Sequence, residues 1–129
     1  MTVIFGHPAA MMTSKPYVWT EGTPIYRQLM ELLLTGILDG TFKEGDMLPS
    51  VRQLASEYQV NPLTVAKAFQ ELAIEELAEK KRGVGFMVKA GVRQALQRRE
   101  RGRFLREEWP QIKARIERLG IDPADLLKD

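Results

Sequence analysis

The side chains best suited to binding a ligand are the cations of the segment Lys80–Gly83. Two lysines and an arginine precede a glycine, and short stretches compatible with β-structure lie on both sides. This pattern predicts a small hairpin with a basic tip, because glycine permits a tight turn between two strands. Cations at such a tip can contact the phosphates of duplex DNA or enter its minor groove. The alternative is that these charges only solvate a surface turn.

Other kinds of chemistry find little support in the sequence. The chain has no cysteine and one histidine, His7, which excludes thiolate metal sites, disulfides and most histidine-dependent catalytic arrangements. Carboxylates such as Glu107 and Glu108 are adjacent and diverge by about 100° on a helix, so they make no acid–base pair. Gly83 and Gly85 lack the third glycine of a phosphate-binding loop. We therefore expect a binding protein without metal or cofactor, and not an enzyme.

Composition and charge favour a cytoplasmic binding protein. The 129 residues are 44% hydrophobic and 28% charged, which is ordinary for a globular chain. The net charge is only +2, and the basic excess lies in the C-terminal third, so net charge gives weak support for a nucleic-acid partner. No apolar run approaches the roughly 18 residues that span a bilayer, and the first residues do not resemble a signal peptide. We expect no membrane partner.

Three helices are predicted ahead of the basic hairpin. The first begins at Thr23–Pro24, an N-cap followed by proline at the first helical position, and ends at Gly40. Ser50–Gln53 has the spacing of a capping box and begins the second helix. After a break of three residues, Asn61–Pro62 begins the third helix by the same combination of cap and proline. This order of elements predicts a winged helix-turn-helix, in which the third helix enters the major groove of DNA.

The predicted fold is mainly α with a small β-hairpin, in three parts. Residues 1–22 show no periodicity and are expected to be a loosely docked or disordered leader, with a packed arm through Tyr17, Val18 and Trp19 as the alternative. Residues 23–89 form the winged helix-turn-helix. Residues 90–129 form a helical tail for dimerisation or effector binding, in which Trp109–Pro110 breaks a long polar helix.

Four stretches together resemble the GntR family of bacterial transcription regulators. They are residues 24–29 (PIYRQL), 45–55 (GDMLPSVRQLA), 60–72 (VNPLTVAKAFQEL) and the wing at 79–88 (EKKRGVGFMV). The short helical tail resembles the YtrA-type subfamily, whose members dimerise through those helices and often control transporter genes. The resemblance implies a sequence-specific DNA-binding regulator, in our expectation a repressor that binds a pseudo-palindromic operator.

The resemblance also implies which residues contact DNA. Arg52 matches the arginine of the family's Leu-Pro-Ser-x-Arg motif, which reaches DNA from the second helix. Ser50 and Asn61 cap helices, and a cap can also touch a phosphate. Several family members have arginine at the position of Ala66, whereas here the basic residue is Lys67, for which we expect a phosphate contact. The predicted DNA-binding residues are Ser50, Arg52, Asn61, Leu63, Thr64, Lys67, Lys81, Arg82 and Gly83.

The tail carries apolar residues that are too numerous to leave in water and too few to form a core alone. A two-fold copy would cover them and would set two recognition helices about 34 Å apart, on successive major grooves. An effector, if one binds, is expected at the dimer interface or between the tail and the DNA-binding domain. The alternative function is a winged helix that docks on another protein, which Leu63 favours. The predicted dimerisation residues are Val92, Leu96, Phe104, Leu105, Trp109, Ile112, Ile116 and Leu119.

Overall fold

The computed structural model describes residues 17–128, and the predicted leader before Tyr17 lies outside them. The chain divides into two units between Gln94 and Ala95. The first unit contains α1 (Ile25–Leu38), α2 (Val51–Tyr58), α3 (Pro62–Ile74), β1 (Ala78–Lys81), β2 (Gly85–Val88) and the start of α4 (Val92–Arg103). The second contains the rest of α4, a π-helical segment (Phe104–Glu108), α5 (Trp109–Arg118) and α6 (Pro123–Leu126).

The start of α1 differs from the prediction. Pro24 occupies the N-cap position with an extended backbone, ψ 142°, and no side chain caps the helix, so the prediction of Thr23 as the cap was wrong. The side-chain amide of Gln28 stabilises the preceding loop instead. Its Nε2 donates to the carbonyl oxygens of Thr20 and Thr23, and its Oε1 accepts from the Thr20 amide, each at 2.8 Å. Gln28 thus provides hydrogen-bond partners for backbone groups of the loop, whereas the helix itself has no side-chain cap.

The predicted starts of α2 and α3 are confirmed. The amide of Gln53 donates to Ser50 Oγ at 3.0 Å, and the amide of Ser50 donates to Gln53 Oε1 at 2.9 Å, which completes a capping box. The amide of Leu63 donates to Asn61 Oδ1 at 2.8 Å, with proline at the first turn of α3. Between them, Gln59 has a left-handed backbone, φ 54°, which lets the chain reverse within three residues. These local bonds define where the recognition helix begins.

The core of the first unit lies between α1, α2, α3 and the hairpin. Because its side chains lose nearly all contact with water, each contributes about 1.5–3 kcal/mol of hydrophobic stabilisation. The ring of Phe69 on α3 stacks on Phe86 of β2, with centroids 4.9 Å apart. This contact joins the recognition helix to the hairpin. The largest fully buried side chains of this unit are Phe69, Leu29, Leu33, Ile37, Leu54, Leu72, Val65 and Val88.

The two hairpin strands are antiparallel, with Ala78 opposite Val88 and Lys81 opposite Gly85. The loop before α2 extends this pairing. The amide of Leu48 donates to the Phe86 carbonyl at 2.8 Å, and the amide of Val88 donates to the Asp46 carbonyl at 2.9 Å. The hairpin is therefore hydrogen-bonded to the segment that leads into α2. This arrangement restricts the position of its tip relative to the helices.

An aromatic cluster fixes the residues ahead of α1. The rings of Tyr17 and Trp19 lie 5.5 and 5.9 Å from the ring of Tyr58 at the end of α2. Val18 between them is 84% exposed, so it takes no part in this packing. Burial raises the pKa of Tyr58 far above its ordinary value, and the nearby Glu57 carboxylate raises it further. Burial also raises the pKa of Glu57, whose Oε2 is hydrogen-bonded to no residue among those described.

The predicted helix break at Trp109–Pro110 was wrong, because the second unit is helical through these residues. The backbone stays right-handed helical at Glu108 and Trp109, and α4 continues through the π-helical segment into α5. Proline lacks an amide hydrogen and crowds the preceding turn. The wider π turn accommodates it, with the Trp109 amide donating to the Phe104 carbonyl five residues earlier. Within the described part of the chain, no helix is long and apolar enough to cross a membrane.

We predict that Trp19→Ala destabilises the first unit. The substitution removes the ring contacts of Trp19 with Tyr17 at 4.6 Å and with Tyr58 at 5.9 Å. The free energy of unfolding in urea should therefore fall by about 2 kcal/mol. Val18→Ala is the matched control and should change that free energy by less than about 0.5 kcal/mol, because Val18 is already exposed. Equal effects of the two substitutions would contradict the packing described for this cluster.

Candidate nucleic-acid interface

The start of α3 is open to solvent. Asn61 and Lys67 are exposed, Thr64 is half-buried, and Leu63 is 77% exposed. Asn61 uses its Oδ1 to cap the helix, which leaves its amide nitrogen as a donor. The helix dipole adds a positive field at this end. The first two turns of α3 thus present donors, one cation and one apolar side chain to solvent.

The start of α2 presents a second group of donors. Arg52 is the second residue of α2, and its side chain is exposed. Ser50 accepts a hydrogen bond from the Gln53 amide through its Oγ, so its hydroxyl hydrogen can still be donated to another acceptor. An exposed guanidinium next to a helix N-terminus suits bidentate contact with a phosphate or a guanine.

The hairpin tip presents a third group. Arg82 is exposed, and Lys81 forms a solvent-exposed ion pair with Glu79 at 3.4 Å. Such exposed pairs are weak, so Lys81 can exchange its contact with Glu79 for a contact with a phosphate. Gly83 has φ +73°, and a Cβ atom built there would meet no atom within 4 Å. Glycine is therefore required at this position by the backbone conformation rather than by crowding, and the space around the tip is open.

An open groove lies between α2, α3 and the hairpin. It has a volume of about 610 Å³ and is lined by Val51 at the start of α2, by one side of α3, and by Lys80 and Phe86 of the hairpin. None of the nine predicted DNA-binding residues lines it, and Arg52 and Lys81 are only the sequence neighbours of the lining residues Val51 and Lys80. Sequence reasoning missed this groove because the alanines that open it carry no distinctive signal. The α3 residues that line it are Ala66, Gln70, Ala73 and Ile74.

Tyr26 is a second feature that sequence reasoning did not single out. Its ring lies under the Lys67 ammonium, with Nζ 4.3 Å from the ring centroid. The guanidinium of Arg27 lies 5.6 Å from the same centroid. Both distances are within the range of cation–π attraction. The Tyr26 ring therefore brings one cation of α1 and one of α3 to neighbouring positions.

The predicted dimerisation residues fall into two groups. Val92 and Leu96 are buried within the chain and offer no surface to a second copy. The other six are at least partly accessible in the second unit, where the rings of Phe104 and Trp109 lie 6.5 Å apart. Ile116 is half-buried. The exposed members are Phe104, Leu105, Trp109, Ile112 and Leu119.

Three helices with a tight break between the second and third, followed by a two-stranded hairpin with a basic tip, define a winged helix-turn-helix. Proteins of this class bind duplex DNA by placing the third helix in the major groove.

Comparison with known proteins gives the family. Residues 25–88 match the sequence model of a protein family described as bacterial regulatory proteins, gntR family. The HTH-type transcriptional repressor YtrA of Bacillus subtilis (strain 168) is 41% identical over 76 residues, which make up 59% of this chain and 58% of that protein. The chain belongs to the GntR family of DNA-binding transcription regulators, and its relatives support the YtrA-type branch.

Two solved structures extend the comparison beyond the winged helix. YtrA from Sulfolobus acidocaldarius, a GntR-family transcription factor, is 36% identical, with a TM-score of 0.53 over 70% of this chain and 95% of that chain. A GntR family transcriptional regulator from Listeria monocytogenes is 28% identical, with a TM-score of 0.66 over 84% of this chain and 94% of that chain. These relatives are transcription regulators and not enzymes, in agreement with the sequence-based expectation.

We predict that Gly83→Ala lowers the free energy of unfolding by about 1 kcal/mol, because alanine is strained at a positive φ. Gly83→Asn should cost less, because asparagine tolerates this conformation. Urea unfolding of both variants measures the difference. Equal costs for the two substitutions would show that something other than backbone conformation requires glycine at the tip.

Proposed function

We propose that this GntR-family regulator represses transcription by binding a pseudo-palindromic operator as a homodimer. The observation that carries the proposal is that the starts of α2 and α3 and the hairpin tip each present donors or a cation to solvent. A duplex bound across these three elements could meet Arg52, Thr64 and Arg82 at once. The proposal of repression is also supported by the name of the Bacillus subtilis relative, a transcriptional repressor.

The chemistry of the exposed groups suits both parts of a DNA interface. Cations and helix N-termini hold phosphates and fix register, whereas side chains on α3 read base edges. Leu63 is the residue on which the docking alternative rests, yet an exposed apolar side chain at this position can also contact a thymine methyl group. These contacts require no metal or cofactor. Operator binding also implies a cytoplasmic location.

The second unit supports the dimer. Phe104, Leu105, Trp109, Ile112 and Leu119 expose apolar surface to water, and burial of such surface contributes about 25 cal/mol per Å². A two-fold copy would cover this surface and present two α3 helices to successive turns of the major groove. Control of transporter genes is proposed from the resemblance to YtrA-type regulators. Binding of a small-molecule effector at the dimer interface stays a prediction.

Arg52 tests operator binding. A duplex from the region upstream of the protein's own gene should bind tightly in fluorescence anisotropy, and a scrambled duplex weakly. Arg52→Ala should reduce operator affinity by about 5- to 100-fold, the range for loss of one good base or phosphate contact. Arg118→Ala removes the same charge from α5 and is the control, with an expected change of less than about 2-fold. Equal losses in both variants would contradict a specific role for Arg52.

Ile112 tests the dimer. Ile112→Asp should shift the protein toward the monomer in sedimentation equilibrium, because a charge would be placed in the proposed apolar contact. Leu127→Asp introduces the same charge at a position that is 89% exposed and outside the predicted interface, so it should leave the assembly unchanged. A wild-type monomer at micromolar concentration, or equal behaviour of the two variants, would contradict dimerisation through these residues.

A further inference from the structure

We propose that Tyr26 is a positioning residue for DNA binding, whose ring holds the Lys67 ammonium in place for a phosphate of the duplex backbone. The inference rests on the DNA-binding function proposed above and adds a role for a residue of α1. It also explains how this chain can place a cation on α3 although Ala66 stands where several family members have arginine. Lys67 is the one basic residue of α3.

The geometry of the contact is specific. Tyr26 is the second residue of α1 and is half-buried, so packing restricts its ring, whereas Lys67 is exposed. The ammonium lies 4.3 Å from the ring centroid, close to the optimum for attraction by the negative face of an aromatic ring. A lysine side chain that is otherwise free in water loses much rotamer entropy when it binds a phosphate. Prior alignment on Tyr26 reduces that loss.

The contact also leaves Lys67 without an ion pair among the described residues. A tyrosine ring is neutral, so it can orient an ammonium without cancelling the field that attracts a phosphate. Among residues 17–128, no carboxylate lies within 4.0 Å of Lys67 Nζ, whereas Lys81 and Lys89 each pair with a glutamate, at 3.4 and 3.2 Å. Lys67 is thus positioned differently from these two lysines. Arg27 adds positive charge near the same ring, with its guanidinium 5.6 Å from the centroid.

A double-mutant cycle tests this role. Affinities of wild type, Tyr26→Leu, Lys67→Ala and the double variant are measured by anisotropy on an operator duplex and on a non-specific duplex over a salt series. Tyr26→Leu should weaken binding by about 2- to 5-fold, the worth of an exposed cation–π contact, and should have no further effect once Lys67 is alanine. Lys67→Ala should reduce the slope of log affinity against log salt concentration by about 1 on both duplexes, the value expected for loss of one phosphate contact.

Two control variants separate positioning from folding. Tyr26→Phe keeps the ring and should bind DNA within about 2-fold of wild type. Lys113→Ala removes a lysine of α5, and in that background Tyr26→Leu should keep its full effect. If Tyr26→Leu weakens binding equally with and without Lys67, the tyrosine acts through the fold alone and the proposal is wrong. If Tyr26→Leu strengthens binding or changes nothing, the ring does not prepare Lys67 for DNA.

A measurement on the wild-type protein covers the case in which Tyr26→Leu does not fold. Protons on the ε-carbon of Lys67 above an aromatic face should show upfield NMR shifts, and these should persist in the DNA complex. Shifts near those of an exposed lysine, or loss of the upfield shift on binding, would overturn the proposal. Wild type that binds no duplex even at low salt would refute the DNA-binding function and this role together, whereas normal binding with an additive cycle refutes this role alone.

Discussion

Backbone pairing between the hairpin and the loop before α2 is the constraint on which the candidate interface depends. Leu48 and Asp46 exchange hydrogen bonds with Phe86 and Val88 of β2, and the Phe86 ring stacks on Phe69 of α3. The wing is therefore joined both to the entrance of α2 and to the recognition helix. Without this pairing, a two-stranded hairpin would have too little buried surface to hold its tip in a defined place.

The three groups that we propose contact DNA differ in how rigidly they are held. Helix caps define the starts of α2 and α3, so Arg52 and Thr64 project from well-ordered first turns. Lys67 on α3 lies against the ring of Tyr26, which belongs to α1. Arg82 lies on the tip of the hairpin, where the local structure depends on the left-handed conformation of Gly83. This graded rigidity suits an interface that uses helices for base readout and a wing for the phosphate backbone.

Local signals in the sequence predicted most of the fold. The capping box at Ser50 and the cap and proline at Asn61 were correct, because they depend only on residues close in sequence. The cap at Thr23 and the break at Trp109 were wrong, because Pro24 takes the N-cap position without a side-chain cap and a π-helical turn accommodates Pro110. The groove between α2, α3 and the hairpin and the contact between Tyr26 and Lys67 could not be predicted, since both need elements far apart in sequence to meet.

An NMR titration of the full chain with a duplex from the region upstream of its own gene tests most directly whether α2, α3 and the wing tip form one DNA interface. If α2, α3 and the wing tip contact the same duplex, the amide signals of Arg52, Thr64 and Gly83 should shift together and report one dissociation constant. Shifts confined to one of these elements, or no shifts at low salt, would contradict a common DNA interface.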